Sequence, residues 1–295
     1  MLKSPHYAKP QTVRPNCIMT RRTLIILSLI SFSFVEFGRD NGNADFVEVN
    51  GKKLYYIDKG VGNPTIVLIT GLGVAMDDFS ELQTKLSKTY RTISYDRAGI
   101  GQSEVIDNER DLENMSTELN SVLSKIGINK PVVLVGHSRG GLLVRYFVNK
   151  YPDKVSGLIL IDPAIPELKS RKRALRTDEE KTQFDNFYKA FYSDTVKFSQ
   201  TIKSEFKNFY TTDSTLLVGK NFPTTIPITI IASNKTTKEK YSKEDIAIKV
   251  ELLKDYIKTA SQINLVFTHK SGHFIYSDQP KLVIKEITAM ADKLK

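Results

Sequence analysis

Short apolar runs alternate along the chain with stretches whose apolar residues recur at helical spacing. Most runs are rich in Val, Ile and Leu, which is typical of strands buried on both faces of a sheet. The runs lie at Ile66–Ile69, Thr92–Tyr95, Val132–Val135, Leu158–Ile161, Ile228–Ile231 and Leu265–Phe267. Strands that alternate with helices in this way predict a mostly parallel sheet with helices on both faces, an α/β fold over residues 45–295.

Two parts of this domain depart from the alternation. Phe46–Val49 and Leu54–Ile57 flank Asn50-Gly51, which predicts a hairpin because this dipeptide accepts the positive φ of a tight turn. Residues 167–222 are polar and charged and contain no buried-strand run. We expect an inserted helical lid there; a decorative surface insertion is the alternative. The lid helices are predicted at Glu179–Phe191 and Val196–Phe209.

A basic pair followed by an apolar run stands near the N-terminus. Arg21-Arg22 precede Leu24–Val35, which has the length of a signal-peptide core and falls short of the ~20 residues of a membrane-spanning helix. Residues 1–37 are therefore predicted to be a leader, either a signal peptide or a membrane anchor, so the protein is expected to be exported or membrane-anchored. A helix packed on the domain is the alternative.

Composition disfavours several kinds of site. The chain has one cysteine, Cys17, which excludes internal disulfides, and four histidines, too few for a histidine-rich metal centre. The net charge of +10 comes partly from basic residues ahead of the first acidic residue, Glu36, and otherwise from a general lysine excess. No basic run is interleaved with aromatic residues, so nucleic-acid binding is disfavoured and membrane association is expected only through the leader.

The most informative stretch is Gly136-His137-Ser138-Arg139-Gly140, between a predicted strand and a predicted helix. A serine at such a sharp turn needs small residues two positions before and after it, because strand and helix approach each other there. Its hydroxyl is exposed at the strand's end, and the helix N-terminus offers N–H groups to a developing oxyanion. The pattern predicts a nucleophile elbow; a turn with a capping serine is the other interpretation of these five residues.

Four stretches, in this order, resemble the α/β-hydrolase family over residues 46–295. They are the oxyanion-loop-like Thr70-Gly71-Leu72-Gly73, the block Asp96-Arg97-Ala98-Gly99-Ile100-Gly101-Gln102-Ser103, the elbow, and the terminal histidine loop Gly272-His273-Phe274. The resemblance implies a triad in the chain order serine, acid, histidine, with Ser138 as nucleophile and His273 as its base. It also implies an oxyanion hole from the backbone N–H groups of Leu72 and Arg139, and no metal or organic cofactor.

The acid of this implied triad has several candidates. In much of the family it follows the strand after the lid, but that region, Ile231–Thr237, contains no carboxylate. Some members place the acid at the end of the strand after the elbow helix, and Asp162 fits that position. Asp162 is therefore expected to orient His273, with Glu167 or a dyad without an acid as alternatives.

The expected activity is a serine hydrolase that cleaves a small-molecule carboxylic ester or related acyl substrate through an acyl-enzyme on Ser138. Of the other histidines, His137 is expected to be buried and to point away from the reacting face, and His269 to be solvated or a packing residue. Aromatic residues of the lid favour a substrate with an apolar portion. Dehalogenase chemistry is disfavoured, because in this family it uses an aspartate nucleophile.

Two classes of alternative remain open. The same triad could hydrolyse an amide, a lactone or a carbon–carbon bond, or transfer an acyl group. A non-catalytic binding protein could also retain the fold with its triad misplaced, and the carboxylate missing after the lid is the sequence feature that favours it.

Overall fold

The structure, a computed structural model, describes residues 43–193, 199–217, 221–223, 225–236, 242–260 and 262–295. The predicted leader at 1–37, which contains Cys17, lies outside these residues and stays a prediction. None of the helices within the described ranges is long and apolar enough to cross a membrane.

The described strands join into one sheet. They are β1 Asn43–Val49, β2 Lys52–Lys59, β3 Ile66–Ile69, β4 Thr92–Tyr95, β5 Val132–His137, β6 Val155–Ile161, β7 Ile228–Ser233 and β8 Ile263–Thr268. In the described part of the chain this is an eight-stranded sheet of order β1-β2-β4-β3-β5-β6-β7-β8. Neighbours from β4 to β8 pair parallel, while β1–β2 and β2–β4 pair antiparallel. The predicted mostly parallel sheet is confirmed.

The antiparallel edge begins with the predicted hairpin. Val49 of β1 pairs with Lys52 of β2, and the turn between them has Asn50 at φ 51° and Gly51 at φ 71°. Both angles lie in the left-handed region that a two-residue hairpin turn with the right twist requires. Asn and Gly are the residues that adopt it most readily, which is why the sequence marks this turn.

Helices cover both faces of the sheet. The α-helices are α1 Ser80–Leu86, α2 Leu112–Lys125, α3 Arg139–Lys150, α4 Leu168–Ala174, α5 Asp178–Ser193, α6 Gln200–Thr211, α7 Asp213–Leu217, α8 Lys243–Thr259, α9 Ile275–Asp278 and α10 Pro280–Lys293. The sheet therefore has one layer of core side chains on each face. The residues of β3 contribute to the two layers in turn, because successive side chains of a strand point to opposite faces. Val67 and Ile69 pack in the core with α2, α3 and α8, whereas Ile66 and Leu68 pack with α1 and α10.

Four described helices, α4 to α7, lie between β6 and β7, where the helical insertion is predicted. The predicted helix at Glu179–Phe191 corresponds to α5, and the one at Val196–Phe209 corresponds to α6, although its first residues lie outside the described part. Glu205 of α6 and Asp213 of α7 have no exposed surface, so these two helices pack into the domain. The aromatic side chains that favour an apolar substrate lie outside the described side chains: Phe184, Phe187, Tyr188, Phe191 and Tyr192.

The carboxyl ends of the central parallel strands bring the predicted site residues to one edge of the sheet. Ser138 follows β5, Asp162 follows β6, and His273 lies in the loop after β8. Since β5 lies between β3 and β6, the serine has the Thr70–Gly73 loop on one side and Asp162 on the other. Sites of open α/β sheets occur at this edge.

Candidate active site

The turn at Ser138 has the strained geometry that the sequence predicts. Ser138 has φ 52° and ψ −119°, a conformation that non-glycine residues rarely adopt. A Cβ on Gly136 would lie 2.5 Å from the carbonyl oxygen of Gly140, and a Cβ on Gly140 would lie 2.5 Å from that of Ile69. Strand and helix therefore approach too closely for a side chain at either glycine, and this close approach holds the serine in its turn.

The backbone of Ser138 is tied to the neighbouring strand. Its N–H donates to the carbonyl of Ile161 at 3.1 Å, and its own carbonyl accepts from the N–H of Ala164 at 3.0 Å. These two bonds flank Asp162 and so fix the spacing of the serine and the acid. Among the described residues, Ser138 Oγ has no hydrogen-bond partner. Hydrogen bonds between a nucleophile and its base are often long or poorly aligned before substrate binds.

Asp162 and His273 form a direct pair. His273 Nδ1 donates to Asp162 Oδ2 at 2.7 Å, while Asp162 Oδ1 accepts from the N–H of Ser233 at 2.8 Å and from Lys249 Nζ at 2.6 Å. Burial of Asp162 acts to raise the pKa of its carboxyl, but the hydrogen bond to His273 and the charge of Lys249 outweigh it and lower that pKa below its ordinary value. The acid is thus held as a carboxylate.

The other candidate acid and histidine lie elsewhere. Glu167, at the start of α4, accepts a hydrogen bond from the hydroxyl of Tyr256 at 2.8 Å. His269 is exposed in the loop after β8. Of the two candidate carboxylates, it is therefore Asp162 that contacts His273, and of the two histidines in this loop it is His273 that has a carboxylate partner.

His137 is buried and hydrogen-bonded, as expected. It was also expected to point away from the reacting face, but its ring contacts His273. Its Nε2 donates to the backbone oxygen of His273 at 3.0 Å, and the two rings are 4.5 Å apart at their centroids. Burial, together with repulsion from a charged His273, lowers the pKa of His137 to about 3. A neutral His137 therefore supports the loop that carries His273, a role that the residue's position in the sequence does not reveal.

The Thr70–Gly73 loop lies directly over the serine. A Cβ on Gly71 would be 3.4 Å from the Cβ of Ser138, an ordinary contact distance, and 3.2 Å from His137 Nδ1, so a side chain here would require the His137 ring to shift slightly. The guanidinium of Arg97 donates to the carbonyls of Thr70 at 3.1 Å and Gly71 at 2.7 Å. These bonds fix the backbone that carries the N–H of Leu72, one of the two predicted oxyanion donors.

A buried carboxylate links both predicted oxyanion donors to the insertion. Glu205 of α6 accepts from Arg97 Nε at 2.9 Å and from the N–H of Gly73 at 2.9 Å, and it lies 3.3 Å from Arg139 Nη1. Burial acts to raise the pKa of Glu205, but the charges of Arg97 and Arg139 outweigh it and lower that pKa to about 2. Asp213 of α7 completes the arrangement, because it accepts from Arg139 Nε at 2.7 Å.

These supporting residues were absent from the sequence predictions, yet a signal exists for some of them. Lys249 lies three residues after Ile246 and four before Leu253, which are both buried on α8. Glu205 likewise lies four residues after the buried Thr201 on α6. A charged residue on the buried stripe of a helix must have a partner, although the sequence does not say which one.

Among the described residues, no group of three or more His, Cys, Asp or Glu side chains is placed to hold a metal ion. The charged clusters that do occur pair carboxylates with arginine or lysine.

Residues 64–288 match the family model described as alpha/beta hydrolase fold. The chain belongs to this family. Among solved structures, the chain resembles the epoxide hydrolase of Bacillus megaterium, with a TM-score of 0.64 and 18% identity over 84% of this chain and 100% of that one. It also resembles a thermophilic esterase from Thermogutta terrifontis, with a TM-score of 0.55 and 21% identity over 85% of this chain and 97% of that one. Both likenesses concern the fold.

Similarity at the level of sequence is partial. The uncharacterized protein YbdG of Bacillus subtilis is 33% identical over 43% of this chain and 39% of its own length. The bifunctional esterase/perhydrolase DCH of Acinetobacter calcoaceticus is 28% identical over 50% of this chain and 54% of its own length. The chain thus matches about half or less of the length of these relatives.

Proposed function

We propose that this alpha/beta hydrolase is a serine hydrolase that cleaves a carboxylic ester or related acyl substrate through an acyl-enzyme on Ser138. The observation that carries the proposal is the Asp162–His273 pair, 2.7 Å between Oδ2 and Nδ1, at the strand end next to a strained serine. A weak nucleophile, a base and an orienting acid at one sheet edge are the parts that this chemistry requires.

In the proposed reaction, Ser138 Oγ attacks the acyl carbon while its proton passes to His273 Nε2. The backbone N–H groups of Leu72 and Arg139 stabilise the negative charge that develops on the carbonyl oxygen. The bond to the leaving alcohol then breaks, and His273 returns the proton to that alcohol. Water next attacks the acyl-enzyme, gives one proton to His273 and releases the carboxylic acid, after which the proton returns to Ser138. Asp162 keeps the proton of His273 on Nδ1 and stabilises the imidazolium.

An apolar portion of the substrate remains part of this proposal. Phe274 follows His273 directly, is 51% exposed, and has its ring centroid 5.5 Å from that of His273. An exposed aromatic ring beside the base offers an apolar surface to one side of the scissile bond. We further propose that residues 167–222 cover this edge as a lid; α6 supports that placement, because Ile202 lies 3.4 Å from a Cβ built on Gly73.

Hydrolysis of a p-nitrophenyl ester series of increasing chain length by the full chain tests the activity. We expect turnover by the wild type, its loss in Ser138→Ala and in His273→Gln, and its retention in the matched variant His269→Gln. Labelling by a fluorophosphonate, which requires an activated serine, is expected at Ser138. If neither turnover nor labelling occurs in the folded wild type, a ligand-binding role replaces the hydrolase proposal.

Location is a separate proposal. We propose that residues 1–37 export the protein or anchor it to a membrane, on the strength of Arg21-Arg22 and the apolar run Leu24–Val35. Fractionation of cells that produce the full chain, with N-terminal sequencing of the product, tests it. Recovery of the uncleaved chain in the cytosolic fraction would rule out both forms of the leader.

A further inference from the structure

A lysine of α8 lies beside the carboxylate that contacts His273. Lys249 Nζ donates to Asp162 Oδ1 at 2.6 Å and to the backbone oxygen of Ser233 at 2.9 Å. The side chain of Lys249 is 10% exposed and that of Asp162 is 5% exposed. A buried ammonium is costly unless it is paired, and within the described residues Asp162 is the one carboxylate in ion-pair contact with Lys249.

The titratable groups around this pair come from separate elements. Asp162 ends β6, Lys249 comes from α8, and His273 comes from the loop after β8. His137 of β5 lies against His273, and Tyr276 of α9 packs against His137 with ring centroids 4.8 Å apart. Burial lowers the pKa of His137 and raises that of Tyr276, so both stay neutral across the middle of the pH range. The groups that can interact through their charges here are therefore Asp162, Lys249 and His273.

Asp162 has an unfavourable backbone conformation, and its carboxylate is fixed by hydrogen bonds. Its φ of 38° is in the left-handed region, which is unfavourable for a residue with a side chain. Its Oδ1 is fixed by two donors, the N–H of Ser233 at 2.8 Å and Lys249 Nζ. With Oδ1 occupied, Oδ2 is the oxygen that remains for His273. The two oxygens of the carboxylate thus have separate partners, and Lys249 together with the N–H of Ser233 sets which oxygen faces His273.

We infer that Lys249 is a positioning residue of the proposed hydrolysis, which acts through Asp162 to orient His273 and to set the pH at which His273 is free to act as a base. Its role in turnover rests on the proposed function. The direction of the expected pH shift follows from charge. The positive charge of Lys249 at Oδ1 disfavours a second positive charge, that of a protonated His273, at Oδ2 of the same carboxylate. Removal of that ammonium leaves Asp162 uncompensated, so His273 takes up a proton at a higher pH.

The test uses three variants of the full chain. Lys249→Met removes the charge, and Lys249→Gln is a polar alternative in case Lys249→Met fails to fold. Lys249→Arg keeps the charge. Lys172→Met is the matched control, because Lys172 forms a similarly shielded pair with Asp245 of α8 at 2.9 Å, one turn before Lys249. Two properties are measured: the acidic limb of the pH profile of kcat/KM for a p-nitrophenyl ester, and the titration of the His273 ring by NMR, assigned with His273→Gln.

We expect the acidic limb and the His273 titration midpoint to move to higher pH by about one unit in Lys249→Met and Lys249→Gln, the size of one charge–charge interaction in a shielded site. Lys249→Arg and Lys172→Met keep the wild-type values.

An unchanged midpoint in both neutral variants, or an equal shift in Lys249→Arg and Lys249→Met, overturns the inference. The NMR titration decides this even when the protein hydrolyses no ester, so the failure of the proposed function and the failure of this inference give different results. If the wild type is active and the acidic limb of its pH profile does not move in Lys249→Met, the inferred role of Lys249 is refuted and the hydrolase proposal stands. If the wild type is inactive but the His273 titration midpoint shifts in Lys249→Met, the hydrolase proposal is refuted and the charge effect of Lys249 stands.

Discussion

The carboxylate of Glu205 accepts a hydrogen bond from the N–H of Gly73 at 2.9 Å, although the two residues are 132 positions apart. Glu205 belongs to a helix inserted between β6 and β7, and Gly73 belongs to the loop over Ser138. The same carboxylate contacts Arg97, which holds the carbonyls of that loop, and Arg139, whose backbone N–H is a predicted oxyanion donor. The conformation of the Thr70–Gly73 loop therefore depends on a helix that is distant in sequence.

Glu205→Gln tests this dependence. The change removes the carboxylate that pairs with Arg97, while Arg139 keeps its pair with Asp213. We therefore expect the free energy of unfolding in urea to fall by about 3 kcal/mol, as for other broken buried pairs. We also expect kcat for the ester to fall by about tenfold or more, because Gly73 and the adjacent Leu72 N–H lose their support.

Glu109→Gln is the matched control for that experiment. Glu109 also pairs with a residue of α6, Lys207 at 2.8 Å, but both side chains are more than half exposed. Exposed pairs contribute less than about 1 kcal/mol, so this variant should keep wild-type stability and kcat within that margin. Equal losses in the two variants would mean that α6 is held by surface charge rather than by the buried carboxylate.

Asp162→Asn tests the identity of the acid. Since Asn cannot hold the imidazolium as a carboxylate does, we expect kcat for ester hydrolysis to fall by about 10³-fold or more, with a smaller effect on KM. Glu167→Gln, which alters the bond to Tyr256, should keep kcat within a few-fold. The reverse result, loss in Glu167→Gln and activity in Asp162→Asn, would assign the acid to Glu167.

Gly140→Ala tests the close approach of helix and loop at the elbow. A Cβ there meets the carbonyl oxygens of Ile69 and Thr70, both at 2.5 Å, which forces the backbone to move. We expect Tm to fall by several degrees and fluorophosphonate labelling of Ser138 to slow. Gly272→Ala has nothing within 4 Å of its new Cβ and should change Tm little. A normal Tm and labelling rate in Gly140→Ala would show that the elbow tolerates a larger residue.

His137 should make stability depend on pH in a defined window. Its pKa is about 3 in the folded protein and 6.5 ordinarily, so the unfolded chain binds a proton below pH 6.5 that the folded chain excludes. Stability is therefore lost as pH falls from 6.5 towards 3, by up to about 1.4 kcal/mol per pH unit. Urea unfolding at a series of pH values should show this slope between pH 6 and 5, where Glu205, whose ordinary pKa is 4.5, contributes little.

His137→Gln removes that part of the slope, while His269→Gln, at an exposed position, keeps it. If the slope between pH 6 and 5 persists in His137→Gln, another group carries it. Below about pH 4.5 both variants should lose stability together, because Glu205 is then protonated on unfolding and its depressed pKa costs stability as the pH falls towards 2.

The sequence predicts best what is encoded within a few neighbouring residues. The continuous apolar run of β3, the Asn50-Gly51 turn and the glycines around Ser138 each state a local requirement, and the structure meets each one. The pairing of Asp162 with His273 was predictable for a different reason, because the family resemblance supplied the chain order and the strand ends supplied the place.

The supporting contacts were not predictable in the same way. Lys249 reaches Asp162 across 87 residues and Glu205 reaches Arg97 across 108. Such pairs depend on how helices cross a sheet, and a single sequence carries no record of which of its many charged residues will meet. A charged residue on an apolar stripe indicates that some partner exists, and the packing decides its identity.

The buried acids of α6 and α7 bear on how this protein can be recombined with its relatives. Exchange of the segment between β6 and β7 is an obvious way to graft a new specificity onto the scaffold. Glu205 and Asp213 are supplied by that segment, while their arginines, Arg97 and Arg139, belong to the scaffold. A graft is therefore compatible only if it brings two carboxylates to the same places or is accompanied by neutral replacements of both arginines.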